Sequence, residues 1–401
     1  MAKFLFIVQG EGKGHLTQAI SLNELLVANN HEIVATMVGT TKNRMVPEFY
    51  TQNMVMPMVQ FDSPSLNYGK GKGPNILKTV FSQIIKAKHY LKNADLVNET
   101  VIKYQPDIII NFYEMAAGFY NFFYRPAIPT ICIGHQYLLL HEMFISISNK
   151  KIDRFLLNLN TRVTALGSSK KLALSFYPLP NNQDESISVV PPLIRKAVKE
   201  TFVTNGNYLL AYVTHHKLIE DLQKWQQKNS KETIHCFIDK KSVKKSQEIS
   251  PNFFVHKIDP FNFLEKMANC KGLVTTAGFE SVSEAMYMGK PVMMVPIKNH
   301  VEQRINAFDG QRAGAGIYSK NFKIGKFLKY TYEHIDISTR FGHWESHAEK
   351  LIIANINQTL ELAKAKSKTI EYQPITKPNY SIFNLLWNSL FKKEKNYPYP
   401  L

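Results

Sequence analysis

The chain has 401 residues, 44% of them hydrophobic and 20% charged, a length that suits two domains and a composition that excludes a disordered or fibrous chain. Its net charge of +17, from 49 Lys and Arg against 32 Asp and Glu, implies an anionic partner (nucleotide phosphates, nucleic acid or an acidic membrane surface) unless the lysines are simply scattered over the surface. No apolar run reaches the ~18–20 residues that span a bilayer, and Cys132, Cys236 and Cys270 are too far apart to suggest a disulfide framework or a zinc site.

The first ten residues turn polar too soon for a secretory segment, so the expected location is the cytosol. The run KFLFIVQ at 3–9 reads as a parallel strand covered on both faces. A helix follows at 15–29, striped by Leu16, Ala19, Ile20, Leu26 and Val27. Strand 32–38, a short helix, strand 58–61, a long helix 75–104, strand 107–112, helix 115–124 and strand 129–135 complete a first βα series. Proline and polar residues at 178–206 mark a connector. A second series then opens with strands 207–213, 233–239, 253–258, 272–277 and 291–297, separated by helices 216–228, 260–270, 279–288 and 301–313. A final helix at 344–365 precedes a Lys/Pro/aromatic tail. The expected architecture is α/β: two Rossmann-like, doubly wound domains facing a cleft. The expected boundaries are 1–195, 196–365 and a basic tail at 366–401.

Open parallel sheets bind ligands outside the carboxyl ends of their strands. After the first strand comes Gly10-Glu-Gly12-Lys-Gly14-His15. The glycines permit a tight turn and close approach of a ligand to a helix N-terminus, although packing alone could also require them. The third glycine falls one position early for the dinucleotide fingerprint, and no acidic residue closes the second strand, which disfavours a dehydrogenase. His15, at the helix start, is a candidate general base.

After strand 272–277 the sequence reads Gly278-Phe-Glu-Ser281-Val-Ser-Glu284-Ala-Met-Tyr-Met-Gly-Lys-Pro, and later Glu302-Gln303 opens another helix. Gly278 would expose a helix N-terminus to a diphosphate, Ser281 could donate to a phosphate oxygen, and Glu284 could accept from vicinal hydroxyls. Each also has a plain reading as a capping or first-turn residue.

This block, with Q-G-E-G-K-G-H near the N-terminus, resembles the paired signatures of GT-B glycosyltransferases. The likeness is to the group that holds the family 28 N-acetylglucosaminyl transferase of peptidoglycan synthesis, the galactolipid synthases and their bacterial relatives. The resemblance implies an inverting transfer of a hexosyl or N-acetylhexosaminyl group from a UDP-sugar, with no metal. It places Gly12 and Gly14 by the donor, Gly278 and Ser281 on its diphosphate, Glu284 on its ribose, and Glu302 and Gln303 on its sugar. Backbone from Ile258 to Phe261 would bracket the uracil, and His15 would be the base.

Two places depart from the pattern. Thr214-His215-His-Lys stands where the family 28 enzyme has a glycine-rich loop and could still meet a donor diphosphate, and Glu114 stands where relatives carry an acid after the fourth strand. Glu114 is either the partner that orients His15 or an acid at a helix N-cap. Lysines at 70–92 and the tail's Trp387, Phe391, Lys392, Lys393 and Lys395 fit contact with an anionic membrane, peripheral on its inner face, or equally an ordinary packed helix with a wet face, and the resemblance implies a lipid-linked acceptor. No nucleic-acid-binding motif is present. A nucleotide-sugar epimerase of related fold and a non-catalytic nucleotide-sugar binder are the alternative readings.

Overall fold

The computed structural model describes residues 1–41, 44–63, 87–144, 151–213, 216–238 and 246–369. Seven parallel strands make the first sheet: β1 (Lys3–Gln9), β2 (Glu32–Thr40), β3 (Met58–Asp62), β4 (Ile108–Phe112), β5 (Thr130–Gly134), β6 (Lys170–Leu174) and β7 (Ile187–Val190). Their order is β3-β2-β1-β4-β5-β6-β7. Phe4 to Val8 of β1 are fully buried, as a central strand covered by helices on both faces requires.

The second sheet has β8 (Tyr208–Val213), β9 (Thr233–Ile238), β10 (Gln247–Ser250), β11 (Phe253–Lys257), β12 (Gly272–Thr275), β13 (Val292–Met294) and β14 (Gly316–Tyr318). Its order is β10-β11-β9-β8-β12-β13-β14. All its pairings are parallel except the antiparallel β10 at the edge. In each sheet the strand order reverses once, between β1 and β4 and between β8 and β12. Ligands of doubly wound sheets settle at such reversals, so the loops after these four strands are where a site belongs. The glycine loop follows β1, and Gly278 follows β12.

Two expectations about organisation are corrected. The stretch 178–206 is more than a connector, since it contains β7 and the short helix Lys196–Glu200. The C-terminal helix is two helices, Ser338–Glu345 and Ala348–Thr369, and the second lies against β6 and β7 of the first sheet instead of closing the second domain. Ile352 and Ile356, one helical turn apart, are fully buried in the same apolar cluster as Val190 and Leu193, and that buried stripe draws the helix across. It runs to Thr369, so the expected tail starts inside it. The remainder of the tail and the first part of the expected helix 75–104 lie outside the described residues.

Candidate functional site

The glycine loop is held by close backbone approach. Gly10 N–H donates to Gly39 O at 2.7 Å, and a Cβ on Gly10 would lie 2.8 Å from that oxygen. Gly12 caps helix Lys13–Ala28, with open space beside it. Gly14, in the first turn, faces the second domain: a Cβ there would come within 2.4 Å of Glu280 Oε2.

One turn on, Gln18 Nε2 donates to Glu280 Oε1, and His15 Nδ1 lies 3.0 Å from Gln18 Oε1. On the other side of the imidazole, Gln136 Nε2 is 3.3 Å from His15 Nε2 and donates to Glu302 Oε1 at 3.0 Å. Tyr113 stacks on the ring at 5.6 Å. The buried His15 is thus framed by two amides, each tied to a carboxylate of the opposite domain. Burial lowers its pKa to about 4, opposed by the Gln18 hydrogen bond, so the imidazole is neutral at neutral pH. Burial raises Glu280 to about 7, against its own backbone N–H and Gln18, and raises Glu302 as well.

The loop after β12 turns through Ala277, whose φ of 64° is left-handed. Tyr113, just past β4, has φ of 61°. A non-glycine residue in that region costs roughly 1–3 kcal/mol and is held only where the surroundings over-determine it. Both follow strands at an order reversal. Gly278 caps helix Phe279–Tyr287. Ser281 Oγ donates to Gly278 O at 3.1 Å, and Phe279 stacks on His135 at 4.1 Å.

Glu284, buried, receives a bidentate fork from Arg195, with Nε–Oε1 at 2.6 Å and Nη2–Oε2 at 2.8 Å. Gln303 Oε1 accepts from Ile297 N–H at 2.9 Å. Ile258 packs on the main core, whereas Phe261 is 75% exposed. Thr214 and His215 lie outside the described residues.

Glu114 does not orient His15. It is the N-cap of helix Met115–Tyr124, accepting from Ala116 N–H and, at 2.7 Å, from Ser63 Oγ. The cap position fixes its side chain to its own helix, and the partner of His15 Nδ1 is Gln18. Burial pushes Glu114 up to about 7. Behind His15, a small interdomain cavity is lined in part by His135, Gln136, Glu302 and Asn306. His135 Nε2, Gln136 Oε1 and Asn306 Oδ1 have no hydrogen-bond partner among the described residues, although the cavity wall is mostly apolar, with Leu139, Phe144, Leu157 and Ile305.

Of the residues singled out from sequence, the structure brings His15, Gly14 and Glu302 together across the domains, with Gln18, Gln136, Glu280 and Arg195, which sequence reasoning missed. Gln18 had a signal, because residues three apart share a helix face. The others meet their partners only through the tertiary fold.

A family model described as glycosyl transferase family 1 matches residues 2–331. No curated protein sequence matches the chain. Among solved structures, Phytolacca americana UGT2 complexed with UDP-2fluoro-glucose and pterostilbene superposes with a TM-score of 0.58 at 12% identity, over 92% of this chain and 99% of its own. The spinosyn rhamnosyltransferase SpnG complexed with thymidine diphosphate gives 0.53 at 11% identity, over 89% and 100%. Acinetobacter baumannii MurG gives 0.52 at 13%, over 89% and 100%. At such identities the likeness speaks for the fold, which is GT-B. With four-fifths of its length matched by the family model, the chain is a glycosyltransferase that belongs to glycosyl transferase family 1.

Proposed function

We propose that the chain moves a hexosyl or N-acetylhexosaminyl group from a UDP-sugar to an acceptor hydroxyl, with inversion. The supporting observation is His15: neutral, framed in the cleft, and opposite the N-terminus of helix Phe279–Tyr287. In this reading the acceptor's hydroxyl displaces Gln136 Nε2 from His15 Nε2, and Nε2 takes its proton. The acceptor oxygen forms a bond to the anomeric carbon as the bond from that carbon to the β-phosphate oxygen breaks. The nucleoside diphosphate leaves from the opposite face.

A helix N-terminus favours the developing anion through its free N–H groups and dipole, so Gly278 and Ser281 stabilise the leaving group without a metal. The bound diphosphate also favours the imidazolium, raising His15 towards the useful range. A carboxylate has about four lone-pair directions and Arg195 uses two, which leaves Glu284 able to accept from the ribose hydroxyls while held still. Glu302 and Gln303 take the sugar hydroxyls, and the chain from Ile258 to Phe261 brackets the uracil. UGT2 with its UDP-2fluoro-glucose supports a uridine donor. The basic, aromatic sequence beyond residue 369 supports an acceptor on an anionic lipid surface, so acceptor screening begins with lipid-linked sugars and diacylglycerol.

The test is thermal stabilisation by UDP, GDP, dTDP, CMP and their sugars, for wild type and Glu284→Ala. At 100 times its dissociation constant a ligand adds about 2.7 kcal/mol. UDP or a UDP-sugar is expected to stabilise wild type and not the variant, and turnover is expected to vanish in His15→Ala. Binding without turnover for any acceptor would leave a nucleotide-sugar binding protein. No shift with any nucleotide would remove the transferase reading.

A further inference from the structure

We propose that Gln18 and Glu280 are a positioning pair that sets the tautomer of His15, so that the base forms only when the two domains are together. The proposal rests on the reading of His15 as the base, and it assigns roles to residues that the donor signature leaves without one.

The hydrogen bonds point one way along the chain of groups. An ionised carboxylate only accepts, so Glu280 Oε1 takes a hydrogen from Gln18 Nε2. That contact fixes the amide and turns Gln18 Oε1 to His15 Nδ1, 3.0 Å away. An amide oxygen also only accepts, so Nδ1 must carry the proton and Nε2 the lone pair. The other side agrees. Glu302 Oε1 holds Gln136 Nε2, which faces His15 Nε2 as a donor. Which ring nitrogen is protonated is set by the hydrogen bond the other makes, and here both bonds are set by carboxylates of the second domain.

A protonated Glu280 reverses the logic. As a donor it would turn Gln18 round, present the amide N–H groups to Nδ1 and place the proton on Nε2, where no base remains. The groups facing Glu280 are His15 through Gln18, Glu302, and Glu284 with its partner Arg195. Burial, and to a smaller extent the two carboxylates, push its titration upward to about 7. Gly14 leaves the room in which Glu280 Oε2 sits.

The experiment uses the full chain with [15N]histidine and long-range 1H–15N correlation spectra at pH 8, in which the two tautomers give different ring-nitrogen shifts. His15→Asn identifies the signal by its loss. Wild type is expected to carry the proton on Nδ1. In Gln18→Leu nothing accepts from Nδ1 while Gln136 still donates to Nε2, so the Nε2–H fraction rises measurably above wild type. Gln18→Glu, whose carboxylate still accepts from Nδ1, restores the Nδ1–H form. Glu280→Leu behaves as Gln18→Leu; should it fail to fold, the two Gln18 variants decide the matter. Lowering wild type through pH 7 converts Nδ1–H to Nε2–H.

An Nε2–H form in wild type at pH 8, or a tautomer ratio in Gln18→Leu unchanged from wild type, overturns the proposal. In the donor-turnover assay Gln18→Leu is expected to lose about 10²- to 10⁴-fold in kcat, with the KM for the UDP-sugar unchanged. The expected tautomers without turnover of any UDP-sugar would defeat the transferase reading and leave the positioning pair. Turnover with the wrong tautomer would defeat the pair alone.

Discussion

Glu114 is a carboxyl group whose surroundings withhold water without supplying a positive partner among the described residues. A Cβ on Gly39 would lie 2.3 Å from its Oε2, so β2 can pass only as glycine. Burial moves its pKa from the ordinary 4.5 to about 7, partly offset by Ser63 and the N–H groups of Ala116 and Met115. The folded chain therefore holds this proton more tightly than the unfolded chain. The stability it brings is complete below about 4.5 and is lost as pH rises to about 7. At ~1.4 kcal/mol per unit, the loss is roughly 3 kcal/mol. His15 has the opposite sign: lowered from 6.5 to about 4, it adds stability as pH rises across that interval. The wild-type curve mixes both slopes, so the readout is a difference. Glu114→Gln, which keeps an acceptor for Ala116 N–H, is expected to gain in Tm relative to wild type between pH 5 and pH 8. A constant difference over that range would mean that Glu114 is not held protonated by the fold.

Among the elements, the joint between connector and second domain turns on one buried cation. Lys290, 2% exposed, follows helix Phe279–Tyr287 and places Nζ against Thr204 O, Cys270 O at 3.0 Å and Asn205 Oδ1 at 3.3 Å. It ties the end of the connector to the turn after helix Pro260–Ala268. Methionine would fill the same space and leave those oxygens unpaired, at about 1–3 kcal/mol for each that water cannot reach. Lys290→Met is expected to lower stability by about 2–4 kcal/mol in urea with an unchanged m-value. A loss below about 1 kcal/mol would show that the oxygens find other donors.

Elements of this kind were unevenly legible in the sequence. Ile108–Phe112 and Phe253–Lys257 announce themselves as short apolar runs. Lys170–Leu174 opens with two lysines, and Gln247–Ser250 is an exposed antiparallel edge; neither carries the apolar signal of a covered strand. Gly316–Tyr318 is three residues long, too short for any period to register. The site shows the same division. Glycines after a strand and a histidine at a helix start are local features that the sequence displays. The contact of Gln18 with Glu280 spans 262 residues, and nothing local in the sequence encodes it.

For the molecule as a whole, the last helix decides how the domains stay together. The chain leaves the second domain through helix Ser338–Glu345, where Trp344 Nε1 donates to Ser175 O of the first domain at 2.9 Å. Helix Ala348–Thr369 then runs along β6 and β7. Asn29 Nδ2 adds a bond to Glu349 Oε1 at 2.9 Å, in solvent, where it contributes little. Burial of Ile352 and Ile356 carries the docking. Removing buried methyl groups costs the transfer free energy and leaves a cavity, about 2–5 kcal/mol for Ile→Ala. Leu362, on the same helix, is 57% exposed, and Leu362→Ala is expected to stay within ~0.5 kcal/mol of wild type. Ile352→Ala should therefore lower Tm well beyond Leu362→Ala, although both put alanine, the stronger helix former, into the same helix. It should also speed proteolysis within 346–369, because an undocked helix exposes its backbone. Both isoleucines together would remove a large part of the 5–15 kcal/mol that holds an ordinary domain. The UDP response reports whether this strap also sets the cleft. If Ile352→Ala weakens UDP binding with Glu284 and Arg195 untouched, the helix fixes the distance across which Gln18 reaches Glu280. If binding is unchanged, the second domain holds the donor by itself and the strap governs only stability.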